Sequence, residues 1–487
     1  MLRLRWLLLA LPLMQVAPAL AQQAKPESGG PLRPVRQTLE TLRKQRTDRH
    51  GDLLPPGAVD RFGSIRWRHG GALSLVALTP DGKSVLTVGD AETVRFWDRK
   101  TGRELRRITL GFSFSSDRGN DPRDPRSSRS SRGFGGPRRL PAALSPDGKI
   151  LAVCGGSRFS RGGGFDTSGS LRLWDTTTGK ELPPLKDLRL SPSTLAWSSD
   201  AKALVLGDFS GRIEVRDVTA GKTLATLATG SSSSSDRFPS RGGRGGGTRP
   251  SGPSDLSFSP DGKFVMGVVP RTGGRSGGGV LLRIWDVGTG KVLQDVIGSS
   301  ERGSSACAWS PDGRLIAWVS PGENPHVRLI DPSTGKDVGK LPCSSSRVKL
   351  AFTPDAKYLI TDEESEGKAV VWEVLGQKKL REIEAGEKGA ISPYGGSRAT
   401  PRVSSDSKLV LLPRGPALLI ADLTTGNLLN PPDGPRGPVQ TLRWTPDGKS
   451  LLAQANDLTR WDFADGKRFL LPWPRDAALA RDARHLI

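Results

Sequence analysis

The chain is 487 residues long, contains 60 glycines and 38 prolines, and carries a formal net charge of +22. This abundance of glycine and proline is typical of short strands and turns, and it argues against a protein of long helices. The charge bears on solubility and on attraction to anionic partners, and says nothing about fold. The three cysteines are an odd number without metal-type spacing, so neither a disulfide framework nor a metal site is predicted.

The first 21 residues have the layout of a secretory signal peptide. Two arginines precede a short apolar run, Trp6–Leu13, and Ala19-Leu20-Ala21 then has the small-x-small pattern of a cleavage site. The sequence therefore predicts cleavage before Gln22 and export to the periplasm or the extracellular space, with an uncleaved anchor as the alternative. No later stretch is long and apolar enough to predict a transmembrane helix after cleavage.

Residues 22–56 are polar, charged and proline-containing, which is typical of a flexible tether. The folded body is expected over 57–487. It begins with a strand-like stretch, Arg61–Arg68, that we expect to meet the C-terminal residues where the fold closes. A repeating unit then starts, and its first copy predicts four short strands, at Leu73–Leu78, Val85–Val88, Thr93–Trp97 and Glu104–Leu110.

The unit recurs eight times, and each copy contains a turn of the Ser-Pro-Asp-Gly-Lys kind. Proline fixes the backbone for a turn, the aspartate side chain can bond the backbone ahead of it, and glycine supplies a positive φ. The turn aspartates are Asp81, Asp147, Asp200, Asp261, Asp312, Asp355, Asp406 and Asp447. In five copies a tryptophan stands at the end of the third strand, namely Trp97, Trp174, Trp285, Trp372 and Trp461. One such unit cannot bury both faces of its sheet, so neighbouring units must stack.

Three motifs of the second copy carry a family resemblance: Ser-Pro-Asp-Gly-Lys at 145–149, Leu-Arg-Leu-Trp-Asp at 171–175 and Thr-Gly-Lys at 178–180. Together they resemble the WD-repeat (WD40, beta-transducin-like) family, particularly its bacterial members, over about Ile65–Ile487. The resemblance implies an all-β fold, a single β-propeller of four-stranded antiparallel blades, whose usual role is a binding platform. Eight blades are expected, with seven blades and an irregular unit as the alternative. The family's Gly-His dipeptide is absent, so the side-chain network that includes its histidine is not expected.

Four insertions interrupt the repeats, at 112–139, 155–169, 230–252 and 270–279. Each falls between a second and a third strand or between a fourth strand and the next first strand. In an antiparallel blade these two kinds of junction open on one face of the ring. The insertions contain fifteen arginines, five aspartates and no lysine or glutamate, and are otherwise mostly serine, glycine and proline. Such segments cannot bury enough apolar surface to fold, which predicts disorder.

The insertions have two interpretations: drifted surface loops without a binding role, or an arginine-rich surface for an anionic partner. Arginine offers a planar fork that suits phosphate, sulfate or carboxylate. An acidic polysaccharide, an anionic membrane surface or an acidic protein fits this surface, whereas export argues against nucleic acid. The candidate residues are Arg118, Arg129, Arg132, Arg158, Arg161, Arg237, Arg241, Arg244, Arg249, Arg271 and Arg275.

No catalytic constellation is evident in the sequence. The tryptophans precede the Thr-Gly pairs, unlike those of quinone-dependent propeller dehydrogenases, and the four histidines are scattered. No catalytic residue, cofactor or metal is therefore predicted. The expected function is a non-enzymatic protein-interaction scaffold with protein partners of unknown identity. The alternatives are a polyanion-binding module and an enzyme with an unrecognised site assembled from several blades.

Overall fold

The computed structural model describes most of residues 47–54 and of 64–471; its longer omissions are 111–140, 156–170 apart from two short strands, 230–251, 271–278, 299–305, 387–398 and 431–440. The predicted signal peptide, 1–21, lies outside the described residues. The chain divides into two compact units, Met1–Arg61 and Phe62–Ile487. In the first, the carboxylate of Asp48 accepts hydrogen bonds of 2.9 Å from the backbone N–H groups of His50 and Asp52. The second contains the strands.

The protein is all-β, and its sheets are antiparallel and follow one another along the chain. Sheet 1 contains β1 (Leu73–Leu78), β2 (Ser84–Gly89), β3 (Thr93–Asp98) and β4 (Glu104–Thr109), and sheet 2 contains β5 (Ala142–Leu144), β6 (Ile150–Cys154), β9 (Leu171–Asp175) and β10 (Glu181–Leu182). Between β6 and β9 the chain forms a separate ribbon of β7 (Arg158–Phe159) and β8 (Phe165–Asp166). Sheet 3 contains β11 (Pro192–Trp197), β12 (Ala203–Asp208), β13 (Ile213–Asp217) and β14 (Thr223–Leu227), and sheet 4 contains β15 (Ser254–Phe258), β16 (Phe264–Pro270), β17 (Val280–Asp286) and β18 (Val292–Ile297).

The remaining four sheets follow in the same way, except that sheet 7 has three strands. They are sheet 5, with β19 (Cys307–Trp309), β20 (Ile316–Ser320), β21 (His326–Ile330) and β22 (Asp337–Pro342); sheet 6, with β23 (Lys349–Phe352), β24 (Tyr358–Glu363), β25 (Lys368–Glu373) and β26 (Lys378–Glu384); sheet 7, with β27 (Arg402–Val403), β28 (Leu409–Arg414) and β29 (Ala417–Asp422); and sheet 8, with β30 (Thr441–Trp444), β31 (Ser450–Gln454), β32 (Leu458–Asp462) and β33 (Arg468–Leu471). A 3-10 turn, Glu364–Glu366, is the one helical segment in the described part of the chain.

The eight repeat copies thus correspond to eight sheets. The predicted fold class, all-β with four-stranded antiparallel blades, is confirmed. In the first copy the predicted and observed strands agree to within one residue at either end. Within each four-stranded sheet the first and fourth strands are the two edges.

The turn between the first and second strands is held by its own side chains. In sheet 2 the hydroxyl of Ser145 donates to the carboxylate of Asp147 over 2.6 Å, and the backbone N–H of Lys149 donates to the same oxygen over 3.1 Å. Gly148 completes the turn with a φ of 71°. The backbone keeps this geometry without glycine, because Ala201 takes a φ of 59° at the same place in sheet 3. The local sequence therefore determines this turn, and the hydroxyl and the aspartate matter more than the glycine.

Packing joins the first seven sheets into a closed circuit. The first strand of each sheet lies beside that of the next, and β27 of sheet 7 lies in turn beside β1. Seven apolar clusters fill the spaces between successive sheets, the last between sheets 7 and 1. No described residue of sheet 8 belongs to these clusters, and its Trp444 is 55% exposed where the equivalent Trp197 is 8% exposed. This packing follows the seven-blade alternative, while the number of blades in the complete ring stays a prediction.

Sheet 7 borrows its outer edge from the start of the folded body. Arg68 forms an antiparallel β-bridge with Ala417 of β29. The N–H of Leu418 donates to the carbonyl of Trp67 over 3.0 Å, and the N–H of His69 donates to the carbonyl of Pro416 over 2.7 Å. The indole of Trp67 packs on Trp97 of sheet 1, with ring centroids 6.2 Å apart. The segment Trp67–His69, which we call the closing segment, therefore ties sheet 7 to sheet 1.

The chain leaves room for the closing segment by ending its own fourth strand early. Leu429 N–H donates to the carbonyl of Ile420 over 2.8 Å. In the sequence two prolines follow Asn430, and proline lacks the N–H that a ladder needs. The Asn430 side chain then imitates a strand, accepting from Ile420 N–H and donating to the Leu418 carbonyl. The other half of this edge is left to the closing segment.

The stability of the fold should fall as the pH drops from about 6.5 to about 4, because of His69. The ring is 5% exposed, with Nε2 3.1 Å from the Thr93 carbonyl, and burial together with the Arg95 charge lowers its pKa to about 4. The unfolded chain, with an ordinary histidine pKa, binds the extra proton first, so the free energy of unfolding is expected to fall by about 3 kcal/mol over this range.

The measurement is urea denaturation at a series of pH values, with His69→Gln as the control. The variant should lose most of this slope between pH 4 and 6.5. The comparison also separates the contribution of His69 from that of Glu363. Because the pKa of Glu363 is raised, its contribution to stability grows as the pH falls. Equal slopes for the two proteins would contradict a buried neutral imidazole.

Candidate functional site

The described strand ends that flank the four insertions lie at one face of the circuit of sheets. In sheet 2 Cys154 pairs with Leu171 at one end of β6 and β9, and in sheet 4 Pro270 pairs with Val280 at the same end of β16 and β17. The Asp147 turn lies at the opposite end. We call the end where second strands finish and first strands begin the loop-bearing face, and the other end the turn face. The prediction that the insertions share a face agrees with this topology.

The predicted arginine-rich surface falls almost entirely on residues that the structure does not describe. Arg158 begins β7 and pairs in register with Asp166 of β8. The other candidates lie outside the described residues: Arg118, Arg129, Arg132, Arg161, Arg237, Arg241, Arg244, Arg249, Arg271 and Arg275. Their role in binding stays a prediction.

A different set of arginines is visible near the loop-bearing face, one on the third strand of each of four sheets. Each forms an ion pair with an acid on its own fourth strand. The pairs are Arg95–Glu104 at 3.2 Å, Arg172–Glu181, Arg283–Asp295 at 2.6 Å and Arg328–Asp337 at 2.7 Å. We call these residues the clamp arginines.

Each clamp arginine also reaches the preceding sheet. Nη1 of Arg172 donates to the carbonyl of Leu110 over 2.9 Å, and Nη1 of Arg328 donates to that of Ile297 over 2.9 Å. Arg95 makes the corresponding bond, at 3.3 Å, to Arg68 of the closing segment. The closing segment therefore stands where another sheet would have its fourth strand.

The sequence contained a signal for the clamp that motif reading missed. The arginine of Leu-Arg-Leu-Trp-Asp recurs at the same place in four copies, but only the tryptophan and the aspartate of that motif had a structural explanation. Because the clamp arginines are already engaged with carboxylates and carbonyls, they stiffen the base of the loop-bearing face and do not supply it with free cations.

A cluster of charged side chains lies where β24 ends at this face, and we call it the sheet-6 ion cluster: Lys349, Asp362, Glu363, Glu364, Lys368 and Arg414. Asp362 is 0% exposed, and its carboxylate lies 2.7 Å from Nη2 of Arg414 on β28. Lys349 pairs with Glu364 at 3.0 Å, and Lys368 with Glu382 at 2.8 Å. The cluster joins sheets 6 and 7 by charge as well as by apolar packing.

Glu363 and Cys343 are the members of this region that bear on chemistry. Burial raises the pKa of Glu363, whose carboxylate accepts a hydrogen bond from the hydroxyl of Ser344. Burial, and then the charge of Glu363, raise the pKa of Cys343 to about 11. Burial likewise raises the pKa values of Cys154 and Cys307. The three thiols are therefore protonated at neutral pH, a state unsuited to nucleophilic attack.

The repeat markers lie in the framework. Trp97, Trp174, Trp285 and Trp372 are all at most 5% exposed, and Trp461 lies on β32. The indole Nε1 of Trp97 donates to the hydroxyl of Thr87 over 2.8 Å, and that of Trp372 donates to the hydroxyl of Thr361 over 3.0 Å. In the turns at Asp81, Asp147, Asp261, Asp312, Asp355 and Asp447, a hydroxyl two residues earlier donates to the aspartate carboxylate.

Within the described part of the chain, no group of three or more histidine, cysteine, aspartate or glutamate side chains is arranged to hold a metal ion. Among the same residues, no helix has the length and apolar character needed to cross a membrane.

Comparison with known proteins finds no family model that matches the chain. WD repeat-containing protein 90 of Xenopus tropicalis is 26% identical over 310 residues, which cover 60% of this chain and 15% of that protein. The serine-threonine kinase receptor-associated protein of Gallus gallus is 26% identical over 219 residues, which cover 44% of this chain and 56% of that protein.

Among solved structures, a chain of Kuenenia stuttgartiensis hydrazine synthase aligns with a TM-score of 0.48 and 16% identity, over 77% of this chain and 97% of that one. The chain spans from about a seventh to about half of the length of the two curated relatives. Those relatives, together with the repeated four-stranded sheets, support the WD-repeat propeller family for this chain.

Proposed function

We propose that the chain is a non-enzymatic protein-interaction scaffold that presents its partner-binding loops on the loop-bearing face. The observation that carries the proposal is the contrast between a uniform framework and junctions of very different length at that one face. The clamp arginines and seven apolar clusters hold the strands, so the loops emerge from a rigid base. A rigid base lowers the entropy that a partner must overcome on binding. The WD-repeat relatives support the same role.

The turn face is less suited to recognition, because its carboxylates already have partners within their own turns. Asp98 accepts hydrogen bonds from the N–H and the hydroxyl of Thr101, and Asp286 accepts the same pair from Thr289. These hydrogen bonds lower the pKa of both aspartates. The turns are also of similar length from one copy to the next, and so provide little variation with which to distinguish partners.

A second candidate function is binding of a polyanion, and the charge of the insertions favours it. Fifteen arginines against five aspartates contribute +10 of the formal charge of +22, all from segments that leave one face. Such a surface would attract an acidic polysaccharide, an anionic membrane surface or an acidic protein. We also infer, from residues 1–21 alone, that a bacterial cell exports the chain; cell fractionation and N-terminal sequencing, with Gln22 as the expected first residue, test this.

One pair of variants tests both candidates. The loop variant replaces Arg241, Arg244 and Arg249 with serine, and the turn variant replaces three lysines that are 75–78% exposed on the turn face, Lys149, Lys202 and Lys263. Both lose three positive charges. Immobilised mature protein is used to capture partners from the envelope fraction, and retention on an immobilised polyanion is measured over a salt series.

For a scaffold, a reproducible protein partner should be retained by the parent and the turn variant and lost or weakened with the loop variant. For polyanion binding, only the loop variant should show weaker retention and a shallower salt dependence. Equal behaviour of the two variants in both assays would remove this insertion from the binding surface.

A further inference from the structure

We call the first strands of sheets 1–7 the inner strands. One position on them holds a small residue in sheets 1–6 and a large, charged residue in sheet 7. It lies two residues before the hydroxyl residue of each turn. The small residues there are Ala77, Ala143, Ala196, Ser257, Ala308 and Ala351, and each is partly exposed. In sheet 7 the position is Arg402, the first residue of β27. Sheet 8, which contributes to none of the seven apolar clusters, has Arg443 there.

The strand pairing shows which way Arg402 points. Arg402 pairs directly with Leu411, and paired residues of antiparallel strands project to the same side. Leu411 packs with Leu73 and Val76 of sheet 1, whereas the next residue, Val403, packs into the cluster between sheets 6 and 7. The Arg402 side chain is therefore directed towards β1 along the inner edge of the ring.

Arg402 is exposed to solvent, yet loss of hydration lowers its pKa. These two facts are compatible if the guanidinium stands in water that protein surrounds. β27 lies beside both β23 and β1, and the first strands of sheets 1–7 form a closed circuit. Because Arg402 lies on the inner edge of this circuit, solvent would reach it from the passage that the inner strands enclose.

No carboxylate among the described residues forms an ion pair with Arg402. The matching residues on the flanking inner strands are Ala77 and Ala351, which carry no charge. This differs from every clamp arginine, each of which has an acid on its own sheet. A guanidinium presents five N–H donors in a planar fork, so Arg402 has hydrogen-bonding capacity that the framework leaves unused.

We propose that the passage enclosed by the inner strands binds an oxyanion group, a phosphate or a carboxylate, on the guanidinium of Arg402. The fork donates two parallel hydrogen bonds to such a group, and the reduced hydration of the passage strengthens the attraction. The residues at the same level in the other six sheets are alanine or serine, and none of them offers the anion a competing charge. The site is independent of the insertions and of the proposed scaffold role.

The test is site-resolved modification of the full chain by phenylglyoxal, with mass spectrometry reporting the rate at each arginine. Inorganic phosphate and acetate are compared with chloride at constant ionic strength. Arg402 should be modified in chloride and protected by an oxyanion; at ten times the dissociation constant, mass action predicts about ten-fold slower modification. The arm that protects at the lower concentration distinguishes phosphate from carboxylate.

Arg314 is the matched control, because it is 86% exposed on the turn face beside Asp312. Its modification rate should be the same in all three salts. In a second measurement, phosphate should raise the melting temperature of the parent more than that of Arg402→Gln. Equal protection of Arg402 and Arg314, no protection of Arg402, or an Arg402 that never reacts would each overturn the proposal.

Discussion

Arg414→Met is expected to lower the free energy of unfolding by about 3–5 kcal/mol, because it leaves a buried carboxylate without its partner. Asp362 is 0% exposed, and Arg414 reaches it from the neighbouring sheet at 2.7 Å. The same guanidinium donates to the carbonyl of Ala385 over 3.1 Å, so the change also removes a bond to the end of β26. Urea denaturation followed by tryptophan fluorescence measures the effect.

Two further variants make this result specific. Arg314→Met breaks a surface pair, 4.0 Å from Asp312, and should change stability by no more than about 0.5 kcal/mol. Adding Asp362→Asn to Arg414→Met removes the stranded charge and should restore part of the loss. An Arg414→Met protein as stable as the parent would show that the pair does not hold sheets 6 and 7 together.

Trp67→Ala is expected to cost about 3–5 kcal/mol, the range for removing a buried large aromatic side chain. Trp67 is 8% exposed, packs on Trp97, and belongs to the cluster between sheets 7 and 1. A Cβ at Gly102 would collide with its indole, so the turn after β3 is shaped around this side chain. Urea denaturation measures the cost, and hydrogen exchange at Leu418, whose N–H donates to Trp67, should become faster.

Trp444→Ala is the matched control, since Trp444 is 55% exposed on sheet 8. Its replacement should cost about 1 kcal/mol or less, the usual range for a surface site. Exchange at Leu418 should stay as in the parent. If both tryptophans prove equally important, the closing segment has no special part in joining sheets 7 and 1.

Much of the sheet structure could be predicted because its causes are local. The turn at Ser145–Lys149 needs only its own hydroxyl, carboxylate and positive φ, and the strands on either side follow from apolar residues at short spacing. The candidate site was harder to predict from the sequence than the sheets. The arginines proposed from composition lie, apart from Arg158, outside the described residues, whereas the clamp arginines depend on a carbonyl of the preceding sheet.

The sequence by itself determined the repeat, the order of strands in each sheet and the face at which the strands flanking the insertions end, since each depends on residues a few positions apart. Only the tertiary structure decided how the circuit of sheets closes. Trp67 meets Leu418 across about 350 residues of chain, and no local pattern records a contact at that separation. The same holds for Arg402, which is an ordinary charged residue in the sequence and whose place between β1 and β23 follows only from the closed circuit of first strands.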